Sequence, residues 1–366
     1  MKPRTFFGSA FALLIGATLV VSCGQPTPAD TPTEETPSTQ TTDSTSKEIV
    51  TAAMLSSFAS LPNKVSSSDY QLTDEIITLG RMLYYEPRIS VNQQVSCNSC
   101  HALDQYGVDG LPTSVGHDGQ SGSRNAPTVY NAALHIAQFW DGRSPDVEDQ
   151  AKGPIVNPIE MGMPSGDDVT AALRAISGYD PLFAAAFPND PDPITYENAA
   201  TAIGAFERRL LTPSRFDQFL EGDTSQLSEQ EQRGLTTFVT VGCATCHNNA
   251  AVGGMMYQKL GIVQAYITDD LGRFDITGQE NDRYVFKVPS LRNIAETTPY
   301  LHDGSITTLD EMVRMMGRHQ LGRELTDTQV NDIIAFLESL TGEIPYDYIA
   351  PPQLPDTEPT SSDSSG

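Results

Sequence analysis

Two stretches, Ser96-Cys-Asn-Ser-Cys-His101 and Gly242-Cys-Ala-Thr-Cys-His247, carry the decisive signal in this chain of 366 residues. Each holds a Cys-x-x-Cys-His pattern, in which two thiols can add to porphyrin vinyl groups while the adjacent imidazole reaches the iron as proximal ligand. The chain has five cysteines, these four and Cys23. One copy of the pattern could arise by chance, but two copies that use Cys97, Cys100, Cys243 and Cys246 imply two covalently attached haems of c type. Structural zinc on four cysteines is the bland alternative. Each pair, however, is followed at once by His101 or His247, and the pairs lie far apart, which suits two separate sites. A redox dithiol would call for a strand, turn and helix around it, and neither motif has one.

Outward from the motifs the chain reads as helix. Before the first, Thr73 can cap a helix that puts Ile76, Leu79 and Leu83 on one face and stops at Pro87. Before the second, Ser228-x-x-Glu231 forms a capping box ahead of Leu235 and Phe238. A third capping pair, Thr326 and Gln329, opens a helix whose Val330, Ile333, Ile334, Leu337 and Leu340 make one apolar stripe ended by Gly342. Further helical patterns cover Asp168 to Phe187 and Tyr196 to Leu211. No alternating strand run of consequence is apparent. The expected fold is all-α: two cytochrome c-like haem domains with long loops, the apolar haem faces substituting for missing core.

The ends carry other signals. Lys2 and Arg4 precede an apolar stretch from Phe6 to Val21, which reads as a secretory leader over residues 1–22. The run is short of the roughly 20 residues that span a bilayer. Cys23 follows at once and resembles a lipobox, whose thiol is acylated to anchor the mature chain to a membrane. Residues 23–48 are almost all Pro, Thr, Ser, Asp, Glu and Gln and read as a disordered tether. Residues 351–366 have the same composition and read as a loose tail. The folded part, 49–350, suits two domains, expected at 49–215 and 216–350. Net charge is −25. Such an acidic chain argues against nucleic acid and against anionic lipid head groups, and favours a partner with a basic patch.

Each iron needs a sixth ligand or a vacancy, and that choice separates an electron carrier from a catalyst. The remaining histidines are His117, His135, His302 and His319. The methionines of the second half are Met255, Met256, Met312, Met315 and Met316. Composition and spacing leave the choice among them open.

A wider set of segments resembles the bacterial di-haem cytochrome c peroxidase family. Around the first motif it includes Gly107-Val-Asp-Gly110, Ser114-Val-Gly-His117, Arg124-Asn-Ala-Pro-Thr-Val-Tyr-Asn131, Gln138-Phe-Trp-Asp-Gly-Arg143, Asp149-Gln-Ala-Lys-Gly-Pro154 and Pro158-Ile-Glu-Met161. Around the second it includes Gly272-Arg-Phe274, Val288-Pro-Ser-Leu-Arg-Asn293, Thr297-Thr-Pro-Tyr-Leu-His-Asp-Gly304 and Met316-Gly-Arg-His-Gln-Leu-Gly322. These occur in order across nearly all of residues 70–345, and the ordered set is far more specific than any one segment.

The resemblance implies a hydrogen peroxide reductase. In it the first haem, at Cys97, Cys100 and His101, is peroxidatic. The second, at Cys243, Cys246 and His247, is the high-potential haem that takes in electrons. By the same resemblance His117 caps the peroxidatic iron in the resting state and must leave before turnover, and Met316 is the sixth ligand of the high-potential haem. Glu160 matches the distal acid–base residue, Gln150 the adjacent amide that can hydrogen-bond bound peroxide, and Trp140 the residue between the haems. Calcium is implied at the interface through Asn125 and the carbonyls of Thr297 and Pro299. His302 matches a further position of the family, while His135 and His319 read as structural. The related tryptophylquinone-forming oxidases carry Tyr where this chain has Met316 and lack the capping His. The implied partners are a small cytochrome c or cupredoxin as electron donor and a second copy in a homodimer. Haem attachment implies the periplasm, with the lipid anchor expected at the outer rather than the inner membrane because Gly24 and Gln25 follow Cys23.

Overall fold

Capping side chains set where the long helices begin. In the computed structural model, which describes residues 49–356, the helices of the first half are α1 Ala52–Leu55, α2 Asp74–Tyr84, α3 Cys97–Cys100, α4 Val147–Val156, α5 Gly166–Arg174, α6 Asp180–Ala186 and α7 Tyr196–Glu207. The second half continues with α8 Arg215–Leu220, α9 Glu229–Val241, α10 Phe274–Thr277, α11 Leu309–Leu321, α12 Asp327–Glu338 and α13 Tyr346–Ile349. Thr73 accepts from Ile76 N to start α2. Ser228 and Glu231 cap each other reciprocally at α9, and Thr326 and Gln329 do so at α12, each pair satisfying two backbone donors that the first turn leaves free. The fold is mostly helical, with one two-stranded antiparallel sheet, β1 Tyr257–Lys259 against β2 Val285–Lys287.

Two apolar cores repeat one construction. In the first, Leu79 and Leu83 of α2 pack on Ile203 and Phe206 of α7; in the second, Leu235 and Phe238 of α9 pack on Ile333 and Phe336 of α12. Both crossings close on a glycine. A Cβ at Gly80 would overlap the Ala202 carbonyl and press on Phe206, and one at Gly234 would overlap the Asp332 carbonyl and press on Phe336. The missing side chain lets the backbones approach closely, with an aromatic ring filling the next turn. Fully burying each such Leu or Phe contributes about 1.5–3 kcal/mol. A third, smaller cluster gathers Leu260, Phe286, Tyr300, Leu301, Ile306 and Met315, with Trp140, Met312 and Met316 partly buried on it.

Several expectations are corrected here. The pattern from Asp168 to Phe187 is broken into α5, a single tight turn at Ser177–Tyr179 and α6, because Ser177-Gly178 interrupts the helix. The sheet went unread because strands of three residues, separated by 25 others, carry no alternation to detect. Helix α11, Leu309–Leu321, lies outside the helices expected from the sequence. Residues assigned to the first domain by a boundary at 49 pack elsewhere: Val50 and Phe58 lie in the second core. Conversely, Ile349 and Tyr348 lie on the first core, and Pro355 O accepts from Arg88 Nη2 at 3.0 Å. Residues 351–356 are therefore not a loose tail. The leader, Cys23, the tether to residue 48 and residues 357–366 lie outside the described residues.

Candidate functional site

The first motif forms a single helical turn. Ser96 N donates to Ser99 Oγ at 3.0 Å, and His101 N closes the turn on Cys97 O at 3.0 Å. Cys97 packs against the first core. His101 Nδ1 faces the Gly107 carbonyl at 3.4 Å, which holds the proton on Nδ1 and leaves Nε2 free for a metal. Burial lowers its pKa, keeping the ring neutral as a ligand must be.

Gly242, in the left-handed region at φ 113°, ends α9 and turns the chain into the second motif. Cys243 packs against the second core, and the Gln258 side chain of β1 reaches the Cys246 thiol. The carbonyls of Pro289 and Val252 face the His247 ring, whose pKa burial pushes down to about 4. Neither carbonyl meets hydrogen-bond geometry with the ring: Nδ1 is buried and without a partner among the described residues.

The two surroundings match residue by residue. Thr128 Oγ1 donates to Tyr106 O and Ser290 Oγ to Ala251 O, each at 2.6 Å. Tyr130 N then donates to Thr128 Oγ1 at 3.1 Å and Arg292 N to Ser290 Oγ at 3.2 Å. Asn131 and Asn293, both at φ 62°, each donate to Thr212 Oγ1 at 2.9 Å. Each half thus uses a Pro-to-Asn segment as the wall behind its histidine. All four thiols are free, and in each motif the first cysteine packs against an apolar core close to an enclosed imidazole. The residues present fit two thioether-linked haems.

On the far side of the first motif, two loops meet. His117 N donates to Glu160 O at 2.9 Å, His117 Nε2 meets Pro158 O at 2.9 Å, and a Cβ at Gly116 would overlap Ile159 O. The Glu160 carboxyl accepts from Asn157 Nδ2 at 2.7 Å. Burial raises its pKa, while the nearby Arg143 charge and the Asn157 bond oppose the rise. Gln150 lies half-buried on α4, the helix that leads into this loop.

Trp140 and Asn125 join this region to the third cluster. Trp140 Nε1 donates to Asn125 O at 2.9 Å, Asn125 N donates to His302 O at 2.7 Å, and Trp140 meets His302 edge-on at 6.4 Å. His302 stacks on Phe286 at 4.5 Å and bonds Thr268 Oγ1 through Nε2 at 3.1 Å. Around them Arg143 and Arg124 share Asp141, and Arg124 continues to Asp270. This network of alternating charges was not read from the sequence, since its members lie up to 146 residues apart.

Met316 is half-buried on α11 against the cluster that holds Trp140, while Met315 is buried within it. Asn125 Nδ2 donates to Leu111 O at 2.9 Å, and the Asn125 backbone is stapled to the turn that follows Thr297 and Pro299. Among the described residues no group of three or more His, Cys, Asp or Glu converges on a metal site; the expected calcium ligands, one amide and two carbonyls, are of a different kind. His319 Nδ1 bonds Gln264 O at 2.9 Å.

A sequence model of the family described as di-haem cytochrome c peroxidase matches residues 74–225, and one described as cytochrome c matches residues 231–341. The chain is 45% identical over 293 residues to a cytochrome c551 peroxidase of Nitrosomonas europaea, covering 79% of this chain and 85% of that protein. It is 41% identical over 310 residues to the cytochrome c551 peroxidase of Pseudomonas aeruginosa, covering 82% and 89%. The crystal structure of a MauG-like protein associated with microbial copper homeostasis superposes with a TM-score of 0.72 at 31% identity, covering 80% of this chain and 97% of that one. With the paired haem-attachment sites, this extent of identity makes the chain a member of the di-haem cytochrome c peroxidase family and an oxidoreductase.

Proposed function

We propose that this protein reduces hydrogen peroxide to water in the periplasm, with electrons from a small basic redox protein. The observation that carries the reading is the Glu160 loop. It carries a half-buried carboxyl of raised pKa and pairs directly with the His117 backbone. When bound, the haem at His247 supplies electron uptake and the haem at His101 supplies the iron at which peroxide is cleaved. Glu160 takes a proton from the near oxygen of peroxide and returns it to the leaving oxygen, as a carboxyl poised in a dry pocket can. Gln150 orients the substrate, and Asn157 holds the Glu160 carboxyl by its 2.7 Å bond.

His117 is the gate. Its Nε2 bonds the Pro158 carbonyl, so the ring has an alternative partner when it leaves the resting position. Because Pro158 and Glu160 share one loop, moving His117 and arranging Glu160 are coupled events. Trp140, bonded to the Asn125 carbonyl, stands between the two sites. Met316 is the thioether ligand of the second haem, and Asn125, Thr297 and Pro299 take calcium at the seam. Residues 49–215 and 216–350 are the peroxidatic and electron-transfer domains, apart from the exchanged terminal segments. Cys23 carries the lipid anchor, towards the outer membrane, and the working unit is a homodimer.

The test is peroxide consumption by calcium-loaded holoprotein, fully oxidised against half-reduced. Rapid turnover after half-reduction alone supports the gated peroxidase, equal turnover in both removes the gate, and none in either leaves an electron carrier.

A further inference from the structure

Lys287 and His135 meet with more donors than acceptors among the described residues. Lys287 ends β2 and is 7% exposed, and its Nζ lies 3.5 Å from His135 Nδ1. With Nδ1 facing an ammonium, the imidazole proton sits on Nε2, and that buried atom has no partner among the described residues. Among the described residues Lys287 makes no ion pair either. Two ammonium protons and one imidazole proton are therefore left over, where an unpaired buried charge is strongly disfavoured. Burial alone lowers the Lys287 pKa to about 8, a penalty that a neighbouring anion would offset.

The surroundings say which anion. Gly254 lies so close to the His135 ring that a Cβ there would overlap it, and it donates its N–H to Val288 O at 2.8 Å. The two segments that frame the pair, Val252–Gly254 and Lys287–Pro289, are the ones whose carbonyls face His247. On the other side Lys287 N donates to Trp140 O at 2.8 Å. In the β1–β2 register Lys287 pairs with Tyr257 while Gln258, which touches Cys246, pairs with Phe286. Lys287 thus points to the opposite face of the hairpin from the second attachment cysteine, towards the first half of the chain. A haem bound through its vinyl edge presents two propionate carboxylates at the opposite edge.

We propose that Lys287 and His135 are the seat of a haem propionate between the two haem sites, and that the seat raises the reduction potential of the haem whose carboxylate it holds. This rests on the assignment of haems to both Cys-x-x-Cys-His motifs. The carboxylate comes from either haem, and the two are told apart by which potential moves.

The experiment is a spectroscopic redox titration of each haem in holoprotein carrying Lys287→Gln, Lys287→Arg or His135→Gln, with haem counted per chain. The expected result for Lys287→Gln is two haems and a shift of one haem's equilibrium towards the oxidised form by tenfold or more, 59 mV for one electron. Lys287→Arg should hold that haem near the wild-type value, and His135→Gln should shift it in the same direction by less. A shift confined to the His247 haem assigns the second propionate, and one confined to the His101 haem the first. Unchanged potentials in Lys287→Gln with both haems present overturn the seat. If that variant does not fold, unchanged potentials in His135→Gln do so. Fewer than two haems in the wild-type chain would instead overturn the attachment reading.

Discussion

At Glu160 the geometry distinguishes one carboxylate from the many on an acidic surface. Its side chain is half-buried and bonded by Asn157, and burial raises its pKa against the lowering effect of Arg143 and Asn157. Replacing it by Gln keeps the Asn157 contact and removes the proton carrier. Peroxide turnover is expected to fall about 10²–10⁴-fold, with both haem spectra unchanged. A variant that kept wild-type rates would take Glu160 out of the mechanism. His117→Gly separates gate from pocket: it removes the alternative bond to Pro158 O, and the fully oxidised variant is expected to turn over without prior reduction. The haem-attachment residues were legible in the sequence because their chemistry needs contiguous residues. The pairs that support them were not. Arg292 and Asp217 lie 75 positions apart and Lys287 and His135 lie 152 apart, and no local spacing marks either pair.

Helices α2 and α7, and again α9 and α12, cross at a glycine, Gly80 and Gly234 respectively, a residue that by propensity alone weakens a helix interior. Their role appears once the partner backbone is in place. A methyl at either position would overlap a carbonyl oxygen of the facing helix. Gly80→Ala and Gly234→Ala are each expected to destabilise their own core by about 1–3 kcal/mol, read as a lower midpoint in denaturant. The same change at Gly278 meets open space and carries only the strain of its left-handed backbone. Sequence reading located α2, α9 and α12 through their capping residues, since capping is a local signal. Helix α11 has the same local marks, with Thr308 capping it and Gly322 ending it, but Met312, Met315 and Met316 read equally as candidate ligands and as one face of a helix. The Pro127–Asn131 and Pro289–Asn293 walls share two of five residues, so their equivalence shows in hydrogen bonds more than in letters.

Across the whole molecule, one ion pair ties distant segments together. Arg292, 1% exposed, donates to both Asp217 oxygens at 2.8 and 2.7 Å and to Ala250 O at 2.5 Å, while Asp217 also accepts from Leu61 N and Ser214 N. Arg292 holds the Asp217 pKa down against burial. A depressed carboxylate pKa gives stability that is present above the unfolded value, about 3.9, and is lost as pH falls through the folded one. Asp217→Asn is expected to cost about 3–5 kcal/mol at pH 7, and the gap to wild type should narrow below about pH 4 in urea unfolding. The surface poses the complementary question. The full sequence carries a net charge of −25, so long-range attraction should draw a basic donor. With a small basic cytochrome c as donor, kcat/KM is expected to fall about tenfold between 10 mM and 150 mM ionic strength, as the screening length drops from about 30 to about 8 Å. The KM for peroxide, a neutral molecule, should stay constant over the same range. A donor dependence that is flat in salt would mean that docking relies on local apolar contact and that the acidic surface serves solubility alone.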